Sequence, residues 1–331
     1  MTQVSNKVLR GSGGSSAAPR RRRKKLTFDK VSFMAVFLGV PLLIYIVFVI
    51  SPFVQAIYYS MTNWGGFTAS MDFIGLDNYA KLLQDQVFMQ AVRNSITLAI
   101  VLPIVTIVLS LAFATLVTVG GSSRGQIKGL RGSSFYRVVS FFPYVIPAIA
   151  IGLIWNRVYD PSAGLLNGLL AAVGINMNSY PWLGDPSTAM ICSMVAIVWG
   201  FVGFYMVLFI AAIKGIPAET FEAARIDGAG RFRTAISITI PLIRDNIQTA
   251  YIYMGILALD AFVYMQALNS SGGPANSTLV MSQRLFTTAF SKGQFGLACA
   301  MGVVLAALTL IFAGIVFLVN RFSGGSKDVQ L

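Results

Sequence analysis

Only two glutamates occur in this chain of 331 residues, Glu219 and Glu222, and both lie in one polar stretch, residues 214–244, between two apolar runs. Pro217 just before them suits the first turn of a helix, where its missing N–H costs nothing. The glutamates then sit near the positive end of that helix. Asp227-Gly228 reads as its stop, because glycine tolerates the left-handed geometry that ends helices. A second short helix is predicted from about Gly230 to Ile238, with Pro241 in the first turn of whatever follows. The chemistry available here is recognition. An anionic Glu222 on a short exposed helix can pair with a cation in a partner's cleft. Ala223 and Ala224 have so little bulk that a partner surface can approach the backbone closely. Gly228 and Gly230 permit a sharp reversal, and Asp227 can cap the second helix or lock the turn. Phe232 and Pro241 read as packing and punctuation residues.

Other chemistries are excluded by composition. The sequence has no histidine, which removes His-based triads and most zinc sites. Cys192 and Cys299 fall in apolar runs, so they read as buried thiols rather than a disulfide framework. A phosphate-cradling loop needs G-x-x-x-x-G-K-[S/T]. The nearest approach, Gly120 to Gly125, is followed by Gln126 and Ile127 instead of Lys and Ser/Thr. This chain is therefore not expected to hydrolyse ATP, and 120–134 reads as a flexible cytoplasmic loop.

The elements that must position the polar stretch are apolar. Hydrophobic residues make up 56% of the chain and charged ones 11%, where a soluble domain has about a quarter charged. Six apolar segments, at about 32–59, 93–119, 135–159, 188–212, 244–267 and 295–320, exceed the roughly 18 residues needed to span a bilayer as a helix. Gly164–Gly174 is apolar but too short to cross, and is read as an interfacial or re-entrant helix. Residues 1–30 read as a disordered basic tail, with a flexible piece from Gly11 to Ala18 and a basic run from Arg20 to Lys25. That run suits a cytoplasmic anchor on anionic lipid, and the apolar run after it is too long for a signal peptide. With the N-terminus inside, 20 of the 25 Lys and Arg residues lie inside and five outside, namely Lys81, Arg93, Arg157, Arg284 and Lys292. This asymmetry satisfies the positive-inside rule, and it accounts for the formal charge of +13 without nucleic acid. Both termini and 214–244 then face the cytoplasm, with 31–322 as one membrane domain and 323–331 as a cytoplasmic tail.

The spacing of Glu222-Ala223-Ala224, Asp227-Gly228-Ala229-Gly230, Phe232 and Ile238-Thr239-Ile240-Pro241 resembles the EAA loop of ATP-binding-cassette importer permeases. The carbohydrate-uptake branch, of the maltose and glycerol-phosphate type, is the most similar. Phe73-Ile74-Gly75-Leu76-Asp77-Asn78-Tyr79 is similar to that branch's F-x-G-L-x-N-Y stretch. Phe142-Pro143, Pro147, Trp155, Asp160-Pro161, Gly164-Leu165-Leu166-Asn167, Trp182-Leu183, Asp185-Pro186 and Gly272-Gly273-Pro274 with Ser277-Thr278 follow its pattern too. The likeness covers about 33–320. It departs at the long polar loop 120–134 and at Leu268–Ser271, which bears on the substrate rather than the family. The resemblance implies an all-α integral membrane fold of six transmembrane helices, N-in and C-in, in a bacterial cell membrane. It implies one half of a heterodimeric pore with a second permease subunit. Two cytoplasmic ATPase subunits would bind ATP and Mg, and an extracellular solute-binding protein would deliver a carbohydrate. The 214–244 loop would be the coupling helix docking on an ATPase subunit, and this chain would carry no catalytic residue, cofactor or metal.

Within the apolar runs, Asp260 stands in the middle of the fifth. A charge there is costly and faces a cavity or a partner group. It reads as an acceptor for sugar hydroxyls, as a proton or ion site, or as half of a structural pair with another subunit. Tyr253, Asp260 and Tyr264 fall on one helical face, with Gln266 and Asn269 nearby and Trp199 and Tyr205 of the fourth run able to oppose them. These seven are the substrate-pathway candidates, although aromatic residues in membrane helices also serve as belts and packing. Two other readings compete. One is a proton-coupled secondary transporter using Asp260, for which no convincing internal repeat relates the halves. The other is a membrane enzyme, for which neither histidine nor clustered acids are at hand.

Overall fold

The computed structural model describes residues 28–67, 71–118, 132–175, 177 and 179–322. The basic run, nearly all of loop 120–134 and the tail 323–331 lie outside the described residues. The chain divides after Phe53 into two units. The described part of the first, residues 28–53, is helical from Phe28, and its apolar span α1, Ser32–Tyr59, continues along the chain into the second unit. π-helical turns interrupt it at Ala35–Gly39 and Ile46–Ile50. Its large apolar side chains from Phe33 to Ile50 are exposed, as befits a segment whose solvent is lipid and whose backbone must satisfy itself.

The second unit holds α2 (Asp77–Gln84), α3 (Gln86–Thr118), α4 (Ser133–Val145), α5 (Ala148–Val158), α6 (Leu165–Ala172) and α7 (Ala189–Lys214). After these come α8 (Ala218–Ile226), α9 (Arg231–Thr234), α10 (Arg244–Leu259), α11 (Phe262–Leu268), α12 (Met281–Phe286) and α13 (Phe295–Phe322). The main core forms where α3, α7 and α10 meet, with Leu98, Leu102 and Ile107 against Ile197, Phe209, Met254 and Ala258. At the crossing of α3 and α7 the Ser110 hydroxyl donates to the Val202 carbonyl at 2.9 Å. One residue on, a Cβ at Gly203 would fall on the Ser140 carbonyl oxygen, so α4 and α7 approach to backbone contact only because that residue is glycine.

Among the described residues, four helices are long and apolar enough to cross a membrane: α1, α3, α7 and α13. Two further candidates are bent pairs. This corrects the expectation of unbroken helices over 135–159 and 244–267. α4 and α5 turn by 100° about Ile146-Pro147. Ile146 is extended there, with φ −74° and ψ 130°, as a residue before proline is driven to be. α10 and α11 turn by 51° at Asp260-Ala261, where no proline or glycine stands. The far halves of both pairs pack together. Gly152 of α5 lies against Ala267 of α11 too closely for any side chain at 152. Asn156 Nδ2 donates to the carbonyls of Ala267 at 2.7 Å and Gly152 at 3.2 Å.

The apolar stretch around 164–174 forms α6, with Leu165, Leu169 and Val173 exposed. Asn167 anchors it, donating to the Pro161 carbonyl at 3.1 Å and accepting from Trp182 Nε1 at 2.7 Å. On either side of this helix the Asp160 carboxyl is lowered by the Ala163 and Ser162 amides, and that of Asp185 by the Ser187 hydroxyl and amide.

Candidate functional site

The polar stretch 214–244 is built as an elbow. α7 runs out at Lys214, and Pro217 stands immediately before α8. α8 closes with Gly228 at φ +72°. The Gly228 N–H reaches the Arg225 carbonyl at 3.0 Å and the Ala229 N–H the Ala224 carbonyl at 2.9 Å. These are the paired bonds of a Schellman motif, which satisfies carbonyls the helix end would otherwise orphan. Asp227 ends α8 rather than capping the next helix, which starts from Gly230 without a side-chain cap. From α9 the chain continues through a π-helical turn, Ala235–Thr239, into Ile240–Leu242. The wide turn falls just before Pro241, whose ring crowds the carbonyl four residues back and whose N–H is missing.

Helical periodicity gives α8 two faces. Phe221 and Ala224 are buried, and Phe221 joins the main core beside Ile213 and Ile243. Glu222, Ala223, Ile226, Asp227 and Gly228 are exposed. Ala224, read from sequence as a contact surface, faces its own chain. Phe232, read as a packing residue, is 79% exposed, and Ile226, which sequence reasoning passed over, is 87% exposed. Gly230 and Pro241 are exposed as well, and Ala229 is half-buried. The outward surface therefore combines an anion with two bulky apolar side chains.

The seven pathway candidates do not share a surface. Asp260 is not mid-helix. It ends α10 at the bend and is exposed. The bend also breaks the face on which Tyr253 and Tyr264 were aligned. Tyr253 is 68% exposed, whereas Tyr205 is 4% exposed, with rings of Phe201, Phe204 and Phe209 around it. Tyr205 is core. Tyr264 reaches the same cluster through Phe201 at 5.9 Å. Trp199 stands apart, edge-on to Trp155 at 5.8 Å, in the wall of a cavity of about 700 Å³ between α3, α4 and α7. Val105, Phe113, Val139 and Ile191 line that cavity too, so it suits hydrocarbon rather than hydroxyls. Gln266 and Asn269 are joined by a residue not anticipated, Gln283. Its Nε2 donates to Gln266 Oε1 at 3.2 Å and to the Asn269 carbonyl at 3.0 Å.

The end of the molecule where α3 and α13 begin is tied across long sequence distances. Asn94 Nδ2 donates to the Asn276 carbonyl at 3.0 Å and the Leu279 carbonyl at 2.9 Å, and the Met281 N–H donates to Ser95 Oγ at 3.1 Å. Together they hold the 272–280 loop, in which Ala275 and Asn276 adopt left-handed geometry at φ 51° and 60°. Arg284 donates to Asp85 at 2.7 Å. Burial raises the Asp85 carboxyl, but bonds from Arg284 and from the Phe88 and Val87 amides outweigh it and hold it below the usual carboxylate range. No group of His, Cys, Asp or Glu suited to a metal is found among the described residues.

Comparison with known proteins follows the same lines. Residues 118–323 match the family described as binding-protein-dependent transport system inner membrane component. The chain is 60% identical over 305 residues to the diacetylchitobiose uptake system permease protein NgcF of Streptomyces coelicolor, covering 92% of this chain and 86% of that one. It is 35% identical to the probable ABC transporter permease protein YurN of Bacillus subtilis, covering 82% and 90%. In fold it is similar to a bacterial alginate ABC transporter solved in complex with alginate pentasaccharide-bound periplasmic protein. The TM-score is 0.77 at 19% identity, over 91% of this chain and 98% of that one. These likenesses displace the proton-coupled alternative. The chain belongs to the family of inner membrane components of binding-protein-dependent transport systems.

Proposed function

We propose that this permease forms one half of the membrane pathway of an ATP-driven importer for a short N-acetylated sugar, of the diacetylchitobiose kind named for its 60%-identical relative. In this reading it crosses the membrane six times with both ends inside, each bent pair counting as one span. The domain is 31–322, between a basic tail and a short C-terminal tail. A second permease completes the pore. Two cytoplasmic subunits bind ATP and Mg and perform the hydrolysis, and an extracellular binding protein delivers the sugar. No step of catalysis falls to this chain.

The observation that carries the coupling role is the division of labour within α8. Phe221 enters the core shared by α3, α7 and α10 and Ala224, three residues on, is buried, while Glu222 and Ile226, with Phe232 of α9, are exposed. Two bulky apolar side chains beside a carboxylate fit a partner groove that offers a cation and an apolar floor. A helix rooted in the core transmits a displacement of that groove to the spans as a rigid body. Asp227, Gly228, Ala229 and Gly230 shape the reversal that presents Phe232, and Pro241 fixes the widened turn leading into α10. Of the pathway candidates, Asp260, Gln266 and Asn269 retain polar groups near the bend, and we assign the sugar's hydroxyl contacts to that neighbourhood.

The test is reconstitution with the partner subunits, comparing wild type with Glu222→Lys and with the pair Ile226→Ser and Phe232→Ser. Binding-protein-stimulated ATP hydrolysis should fall at least about tenfold, as loss of hot-spot contacts worth about 2 kcal/mol each implies, while the melting temperature stays near wild type. Wild-type stimulation in these variants would remove the coupling assignment.

A further inference from the structure

A second cavity, of about 330 Å³, lies at the opposite end of the spans from the elbow, between the 62–64 segment, α2 and the start of α13. Its walls mix ring and polar groups. The Trp64 ring, held against Tyr59 at 4.5 Å and Phe295 at 5.6 Å, forms one side. Asn63, Lys81 and Gln294 contribute polar ends. The frame is rigid. The buried Asn78 donates to the carbonyls of Ser60 and Thr62, both at 2.8 Å. The Gly296 N–H donates to the Trp64 carbonyl at 2.9 Å, and Asn63 Nδ2 donates to Asp72 at 3.0 Å. Among the described residues, the Lys81 ammonium has no ion pair and the Gln294 side-chain amide no hydrogen bond.

From this cavity a row of rings leads toward the bend in the fifth span. Phe295 meets Phe290 at 5.6 Å, Phe290 meets Phe286 at 4.9 Å, and Phe286 meets Phe262 at 5.3 Å. Phe262 is two residues beyond Asp260. Phe286 and Phe290 are exposed along this row.

We propose that the cavity is an outer subsite for a single pyranose ring, and that the aromatic row is the track by which the sugar passes inward. The proposal rests on the carbohydrate reading above and adds the residues that first receive the sugar. Its volume is at the low end of the roughly 300–1,000 Å³ range of ligand pockets, room for one ring rather than an oligosaccharide. A pyranose offers a flat C–H face, which packs on an aromatic ring, and hydroxyl or acetamido oxygens, which accept from Lys81 and Gln294. Successive phenyl rings let the C–H face change partners step by step without a hydrogen bond to break. The larger cavity beside Trp199 has no comparable polar groups, and another, of about 590 Å³ at Asn156, Arg157 and Asp160, has no aromatic ring in its wall.

The test uses the assembled importer in vesicles, with Ile74→Cys, in the cavity wall but not among the groups that hold the sugar, placed on a background in which Cys192 and Cys299 are alanine, and a membrane-impermeant maleimide applied from outside. Diacetylchitobiose at about three times a millimolar dissociation constant should slow labelling about fourfold. Glycerol should not, and adding Lys81→Met should abolish the protection. Lys292→Cys, outside the cavity, should be labelled at one rate throughout. Uptake is followed in the same vesicles. An unchanged labelling rate in vesicles that still take up the sugar overturns the subsite and leaves the carbohydrate reading intact. Protection by sugar-free binding protein alone overturns it in favour of a partner side chain in the cavity. Absence of sugar uptake by wild type removes the carbohydrate reading itself.

Discussion

The two ends of the helical unit are held by different physics. At the elbow, a single aromatic anchor, Phe221, and helix-local bonds around Gly228 and Thr234 suffice, and the bulky side chains Ile226 and Phe232 are left outside. At the other end, polar side chains stitch residues nearly two hundred positions apart, as Asn94 does to Leu279 and Arg284 to Asp85. One end is anchored at a point and presents a surface. The other is cross-braced and fixes the shape of a mouth. A segment that turns its bulky side chains outward needs only a seat in the core, whereas a loop that lies against membrane-buried helices needs donors for its carbonyls.

The contrast can be broken most severely at its anchor. Phe221→Ala empties a buried site in the core and should cost about 3 kcal/mol, the usual range for a buried phenylalanine. Thermal unfolding in detergent would show it, and coupling should fall with it because the elbow loses its seat. An unchanged melting temperature would mean that α8 is not rooted in the core. Next comes Asn94→Leu, which strips two loop carbonyls of their donor. A loss of about 2 kcal/mol follows from two hydrogen bonds at roughly 1 kcal/mol each, with sugar uptake impaired and ATPase coupling spared.

The smallest effect concerns pH. Asp85 has a folded-state pKa below its unfolded value, so its pairing stabilises fully above the unfolded value, near pH 4, and fades as pH falls through the folded value. Stability should thus be flat with respect to this group from about pH 5 to 8 and decline below about pH 4. In Asp85→Asn the acid decline should be shallower. An equal decline in the variant would show that the pair contributes nothing measurable.

Much of this was legible in the sequence. Run length and hydropathy located, among the described residues, four helices long and apolar enough to cross a membrane and two bent pairs, and Pro217, Gly228 and Pro241 punctuated the elbow where the backbone does turn. The 100° bend at Pro147 also had its signal, an isoleucine-proline step inside an apolar run. The bend at Asp260 had none, because neither proline nor glycine marks it and the surrounding apolar run reads as continuous. The inward and outward faces of α8 could have been separated by counting, since Phe221 and Ala224 are three apart and Glu222 and Ile226 four apart. Tyr205 could not have been assigned to the core that way. Both faces of α7 are apolar, so the position of a ring depends on which neighbours arrive. The Arg284–Asp85 pair is likewise a product of tertiary folding, invisible to any local pattern.

The bond from Asn156 to the Ala267 carbonyl has a kinematic meaning. α5 and α11 are two levers, each with its own pivot, at Pro147 and at Asp260. Fastened together by Asn156, and pressed flush at Gly152, they form a closed linkage with fewer independent movements than two free levers would have. Neither can swing alone without shearing that fastening, so a displacement entering through one pivot must emerge at the other.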